Sequence, residues 1–295
     1  MVLIVDSGST KTDWMFADSA NSHTAVKTSG INPAVQPQED TDRCLSHELR
    51  PEMDRRHICT DDITAIHFYG AGCTPEKAGT MTSLLKAHFP KATTVEAESD
   101  LLAAARALCG RSEGIACILG TGANSCIYDG RHIVAHTPAL GFILGDEGSG
   151  AVLGKTFING ILKGWLPEVL RERFLAERSL TMAGIIDKVY RQPMPNRFLA
   201  SAAEFIARNM EEFTELQTIV EDNFDKFFAK NILPYRTATV NGHSANISKM
   251  DVNAVGSIAF HYRPQLEKAA EKYNMHIGKV VKSPAQGLLS YHFIQ

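Results

Sequence analysis

A chain of 295 residues has the length of two ordinary domains, and 44% hydrophobic with 21% charged residues supports packed cores rather than disorder. The net charge of -3 offers no basic footprint for nucleic acid. No apolar run reaches bilayer length, and the start lacks the basic-then-apolar order of a secretory leader, so the expectation is a cytoplasmic protein without a membrane or nucleic-acid partner.

The elements are read in chain order. Val2–Val5, Thr12–Ala17 and Thr24–Ser29 read as strands, and Glu39–Leu49 as a short helix. Ile63–Tyr69 reads as a strand closed by Gly70-Ala71-Gly72-Cys73. Pro75–Phe89 has helical spacing, with Pro75 at the first helical position after Thr74. A strand over Thr93–Ala97 and a helix over Leu101–Leu108 follow. This order predicts an α/β fold. Gly114–Tyr128 repeats the opening pattern: an apolar run, a small-residue turn, a second apolar run. Such a repeat suggests two domains of related architecture. Helices are expected over Asp146–Leu162, Pro167–Arg173, Met182–Tyr190, Ser201–Glu212 and Glu215–Phe228. A strand over Val252–Gly256, a helix over Ser257–Lys272 and a last helix over Pro284–Phe293 complete the reading, and the polar stretch 236–250 has no assignment.

The turn Asp6–Thr12 has the chemistry of a phosphate site. A strand–turn–strand geometry points backbone N–H groups and small hydroxyls into one concavity. Asp6 at the strand end could hold a hydrated Mg²⁺. The same residues also make an ordinary hairpin turn. It is not a Walker A loop, which runs from a strand into a helix. Asp100 is open between a helix cap shared with Ser99 and a catalytic acid. Asp146 and Glu147 read as first-turn helix acids, favourable to the helix dipole. The six cysteines form no C-x-x-C pair and read as buried reduced thiols; the eleven histidines show no zinc spacing.

Five motifs stand in order: D-S-G-S-T-K-T at Asp6–Thr12, E-S-D at Glu98–Asp100, G-T-G at Gly120–Gly122, G-D-E-G-S-G at Gly145–Gly150 and V-G-S-I-A at Val255–Ala259. Together they resemble the BadF/BadG/BcrA/BcrD-type ATPases, and within them the N-acetylglucosamine kinases, of the sugar kinase, actin and heat-shock ATPase superfamily. The resemblance implies two ribonuclease-H-like domains with a nucleotide cleft between them: residues 1–110 with 284–295, and 111–283. It implies ATP and Mg²⁺ as cofactors and a small-molecule sugar as partner, with a homodimer left open.

By that likeness Asp6 organises Mg²⁺, and Gly8, Ser9, Thr10, Lys11 and Thr12 form the first phosphate loop, Thr10 facing the phosphates. Gly120, Thr121 and Gly122 form the second loop, and Gly256 and Ser257 the adenosine turn. Asp100 is the catalytic acid on the sugar hydroxyl, and Asn32, Gly141 and Asp146 also contact the sugar. The activity implied is phosphorylation of N-acetylglucosamine at its 6-hydroxyl. An ATPase of the dehydratase-activator type and a non-catalytic nucleotide or sugar-binding regulator are the alternatives. Three departures bear on this: Ala139-Leu140-Gly141 where an aromatic G-W-G-like stretch is frequent, no Gly in Ala207–Met210, and Ser7-Gly8-Ser9 in place of three glycines.

Overall fold

The computed structural model describes every residue except Ser9, Asn241, Gly242, Ala245, Ile294 and Gln295, and omits the side chains of Thr239, Val240, His243 and Ser244. The chain forms two compact units: Met1–Arg111, Gly130–His132 and Pro284–Gln295 make unit 1; Ser112–Asp129 and Ile133–Ser283 make unit 2.

Unit 1 begins with β1 (Val2–Ser7), β2 (Lys11–Ser19) and β3 (Ser22–Ser29), an antiparallel meander. Next come α1 (Gln38–Arg43), a π-helical segment Cys44–Leu49 and α2 (Arg50–Arg55). Pro51 explains the widened segment. A proline lacks an N–H and its ring collides with the carbonyl four residues back, a clash that a π register relieves. The helix expected to stop at Leu49 therefore continues to Arg55. β4 (Ala65–Gly70), α3 (Pro75–His88), β5 (Thr94–Ser99) and α4 (Asp100–Cys109) follow. β4 pairs parallel to both β1 and β5, giving the order β3-β2-β1-β4-β5.

Alternation along β1 buries both faces. Leu3 and Val5 join Trp14, Phe16, Met81, Leu84 and Leu85 on one side, while Ile4 joins Met15, Ala17, Tyr69, Ala103 and Ala107 on the other.

Unit 2 repeats the plan. It contains β6 (Gly114–Leu119), β7 (Ala123–Tyr128), β8 (Ile133–Thr137), α5 (Gly141–Leu144), α6 (Gly150–Lys163), α7 (Glu168–Arg178), α8 (Met182–Tyr190), α9 (Pro195–Ala200), α10 (Ala202–Asn209) and α11 (Thr214–Phe227). Two-residue strands β9 (Thr239–Val240) and β10 (His243–Ser244) lie in the polar stretch. β11 (Val252–Val255), α12 (Ser257–His261), α13 (Arg263–Lys272) and β12 (Ile277–Val281) complete the unit. The chain then returns to unit 1 as α14 (Ala285–Phe293). The second sheet runs β12-β11-β6-β7-β8, with an antiparallel meander β6-β7-β8 and parallel β6, β11 and β12. This is the first sheet's topology, so both units are ribonuclease-H-like and the α/β expectation is met.

Three differences from the sequence reading have physical causes. The helix expected from Asp146 starts at Gly150, because Ser149 caps it by accepting the Val152 N–H at 3.1 Å. The helix expected over Ser257–Lys272 breaks at Tyr262, just before Pro264 in the first turn of α13. The strands β8 and β12 went unread: both are partly exposed edge strands and lack a continuous apolar run.

Candidate active site

In unit 1 the β1–β2 turn closes with the Gly8 N–H donating to the Lys11 carbonyl at 3.0 Å. Ser7 and Thr12 are fully buried beneath it. Their hydroxyls lie 2.6 Å apart, and Thr12 also donates to the Ser29 carbonyl at 3.0 Å. Thr12 thus braces the loop from inside, while Thr10 and Lys11 are exposed. The Lys11 ammonium sits on Asp13 at 2.6 Å. Ser9 lies outside the described residues.

Three acids share this end of the sheet. Asp6 faces Asp13 across the β1–β2 pair, so their side chains emerge on the same side. Burial pushes the Asp6 carboxyl up to about 7; Asp13 and Asp100 add to the rise and Lys11 opposes it. Asp100 is the first residue of α4, one past the true cap: Ser99 Oγ accepts the Leu102 N–H at 3.2 Å. Burial pushes Asp100 up to about 6, against the Leu101 and Asp100 backbone N–H groups that its carboxylate accepts.

Asn32 is held nearby in the same unit. Its N–H donates to Gln36 Oε1 at 2.6 Å, and its Oδ1 accepts the Ala34 N–H at 3.1 Å. The preceding Ile31 binds Ser7 Oγ through both its N–H and its carbonyl, each at 3.0 Å, so the Asn32 segment is tied to the phosphate-loop strand. Gly72, at φ +71°, lies flat against Asn32: a Cβ there would come 2.2 Å from Asn32 Oδ1.

In unit 2 the Gly120–Gly122 turn caps α6. The Gly120 and Thr121 carbonyls accept the Gly150 and Ala151 N–H groups at 2.8 and 3.1 Å. Gly256, at φ +127°, packs on the same turn; a Cβ would come 2.3 Å from the Leu119 carbonyl oxygen. Only glycine suits that backbone and that approach. Ser257 follows as the first residue of α12.

Asp146 precedes α6 in a left-handed conformation at φ +58°. Its carboxylate accepts the Ala123 and Gly141 N–H groups, although burial and the Glu147 charge push it up to about 6. Gly141 therefore meets Asp146 through its own N–H. Glu147 points elsewhere: burial works against its charge, but Lys230 at 2.9 Å and Asn231 hold it below its usual range. Leu140, Ile143 and Leu144 beside Gly141 are exposed apolar residues.

Each unit thus gathers its own part of the predicted set: Asp6, Gly8, Thr10, Lys11, Thr12, Asn32 and Asp100 in unit 1, and Gly120, Thr121, Gly122, Gly141, Asp146, Gly256 and Ser257 in unit 2. Asp13 escaped the sequence reading, although its alternating position on β2 opposite Asp6 was the signal.

No protein-family model matches this chain, and no curated protein does. Solved structures do. The chain is 47% identical to the "Putative N-acetylglucosamine Kinase" of Porphyromonas gingivalis, with 99% of each chain covered and a TM-score of 0.92. A "Putative N-acetylglucosamine Kinase" of Chromobacterium violaceum shares the fold at 17% identity, 98% coverage of each chain and a TM-score of 0.72. So does a ROK family glucokinase of Streptomyces griseus, solved with glucose and AMPPNP, at 14% identity, 98% and 97% coverage and a TM-score of 0.57. Two ribonuclease-H-like units and near-half identity over the full length lead to one conclusion: the chain belongs to the BadF/BadG-type, N-acetylglucosamine kinase-like sugar kinases of the actin-like ATPase fold.

Proposed function

We propose that this sugar kinase transfers the γ-phosphoryl group of ATP to the 6-hydroxyl of N-acetylglucosamine. The observation that carries the reading is Asp100: a carboxylate at the start of α4, steadied by two backbone N–H groups and set in the same unit as Asn32. Phosphoryl transfer asks the protein for an oriented hydroxyl, charge stabilisation and dryness more than for covalent chemistry. In this assignment Asp100 orients the hydroxyl and accepts its proton. Asn32, Asp146 and the Gly141 segment hold the remaining sugar polar groups, because buried donors and acceptors discriminate strongly against sugars that leave them unpaired.

Gly8, Thr10 and Lys11 are assigned to the phosphates, with Gly120, Thr121 and Gly122; Gly256 and Ser257 are assigned to the adenosine. Thr12 holds the first loop in shape. The domains are assigned as residues 1–110 with 284–295, and 111–283, a division the compact units support.

Mg²⁺ fits these residues. Asp6 offers hard carboxylate oxygen in a setting that disfavours uncompensated charge. Among the described residues no three His, Cys, Asp or Glu side chains converge into a cage. When bound, Mg²⁺ neutralises phosphate charge, and Asp6 would hold it.

An activator-type reading would lean on reactive cysteines, and Cys73 does not favour it: burial, with Glu98 and Asp100, pushes its thiol up to about 11. No helix among the described residues is long and apolar enough to cross a membrane, and a cytoplasmic location is proposed with the ATP-dependent activity. A coupled ADP-release assay across N-acetylglucosamine, glucosamine, N-acetylmannosamine and glucose tests the substrate. The highest kcat/KM is expected for N-acetylglucosamine; a clear preference for another sugar would replace it.

A further inference from the structure

Helix α14 covers the sheet face of unit 1 that carries Ile4, Met15, Ala17 and Tyr69, and packs on α4. The two helix backbones touch: a Cβ on Gly287 would come 2.3 Å from the Ala107 carbonyl oxygen. A polar cluster joins this apolar contact. The His292 ring stacks on His67 at 3.8 Å with planes 22° apart. His292 Nε2 lies 2.9 Å from the Tyr69 hydroxyl, which accepts from Arg106 at 2.7 Å. The Tyr291 ring sits between the Arg106 and Arg111 guanidinium groups, at 5.1 and 4.9 Å.

This arrangement favours a neutral His292. Arg106 donates to the Tyr69 oxygen, which leaves the hydroxyl proton free to go to a bare His292 Nε2. A proton on Nε2 would meet the hydroxyl proton and set an imidazolium on the His67 ring, beside two guanidinium groups. The facing groups from β4 are His67 and Tyr69, from α4 Arg106, and just beyond it Arg111. From β1 and β2 they are apolar. Glu96 on β5 contributes a carboxylate, which binds His67 Nδ1 at 3.0 Å. Burial and then the charges of His67, Arg106 and Arg111 press His292 down to about 3. Burial lowers His67 too, with Glu96 opposing.

We propose that the His67–His292 stack is an acid-labile latch: it docks α14 at neutral pH and releases it as the imidazoles take up protons, loosening α4 beneath. Asp100 is the first residue of α4, and only a further effect of that loosening on Asp100 rests on the kinase reading. In the released helix both imidazoles regain ordinary basicity, so the docked form binds fewer protons. Docking is complete above the free histidine pKa of about 6.5 and weakens as pH falls, by up to about tenfold per pH unit for each proton taken up.

Amide hydrogen exchange on the full chain between about pH 7.5 and pH 4.5 tests the latch, read as protection factors so that intrinsic exchange cancels. Protection across α14 should fall below about pH 6 by about tenfold per pH unit for each imidazole that takes up a proton, up to about 100-fold with both, while α3 stays constant. His292→Gln keeps an acceptor for Tyr69 but cannot take the proton. It should abolish His292's share of the slope, whatever its starting protection, and His67→Gln should reduce the slope as well. Constant α14 protection in the wild-type protein, or an unchanged slope in His292→Gln, would overturn the latch. Helix release with undiminished phosphorylation would uphold the latch and show that it does not reach Asp100.

Discussion

The Asp146 carboxylate lies 3.0 Å from where a Cβ on Gly122 would stand, so the second phosphate-type turn and the acid of the G-D-E-G-S-G motif are in direct contact. A methyl group there makes the Asp146 carboxylate give by a few tenths of an ångström. Gly122→Ala should lower kcat/KM for the sugar by up to about tenfold, less than the roughly 100-fold that a 1 Å misplacement can cost. Steady-state kinetics with a melting control checks this; unchanged kinetics would separate Gly122 from the sugar side.

Asp146 should also cost the protein stability. Its carboxyl is pushed above its unfolded value of 3.8, to about 6. A raised carboxyl favours folding in its protonated form, so that contribution is present at low pH and fades as pH rises through about 6. Asp146→Asn mimics the protonated form and keeps one oxygen that can accept a backbone N–H. It should raise apo stability by ~1 kcal/mol at neutral pH, by less in acid, and abolish most sugar binding. Denaturant melts at two pH values test the sign; equal destabilisation at both would contradict it.

Asp100→Asn should lower kcat by about 10²- to 10⁴-fold, the usual range for losing a general base. Nucleotide affinity, measured by calorimetry, should stay nearly unchanged. A parallel loss of both would reassign Asp100 to architecture.

Gly154 tests the fold away from the chemistry. A Cβ there would come 1.9 Å from the Leu199 carbonyl oxygen, where α6 meets α9. Gly154→Ala should destabilise the protein by ~2 kcal/mol or more, since backbone cannot rotate away as a side chain can. A melting temperature within a degree or so of wild type would show that the helices part easily there.

The fold and the motif residues were legible for different reasons. β1, β2 and α4 announce themselves because alternation, small-residue turns and an apolar helix face are local signals. The repeat at Gly114–Tyr128 showed that the same topology would recur. What stayed hidden depends on context. The Asp146 turn mimics an acidic helix start, and only the hydrogen bond from the Val152 N–H to Ser149 shows that the cap is Ser149 and the first helical residue Gly150. The helix expected to end at Leu49 runs on past Pro51 through a π register. Asp13 carries no motif of its own; its role follows from a register that places it across from Asp6. The latch residues His67, Arg106 and His292 are far apart in sequence and meet only through the packing of α14.

The central claim is phosphorylation of N-acetylglucosamine at its 6-hydroxyl, and product analysis tests it most directly. The purified protein, ATP, Mg²⁺ and N-acetylglucosamine would be incubated and the products followed by phosphorus and carbon NMR. The account predicts ADP and a sugar monoester in equal amounts, with phosphorus coupling at C6. ADP without sugar phosphate, or phosphate on another hydroxyl, would contradict it.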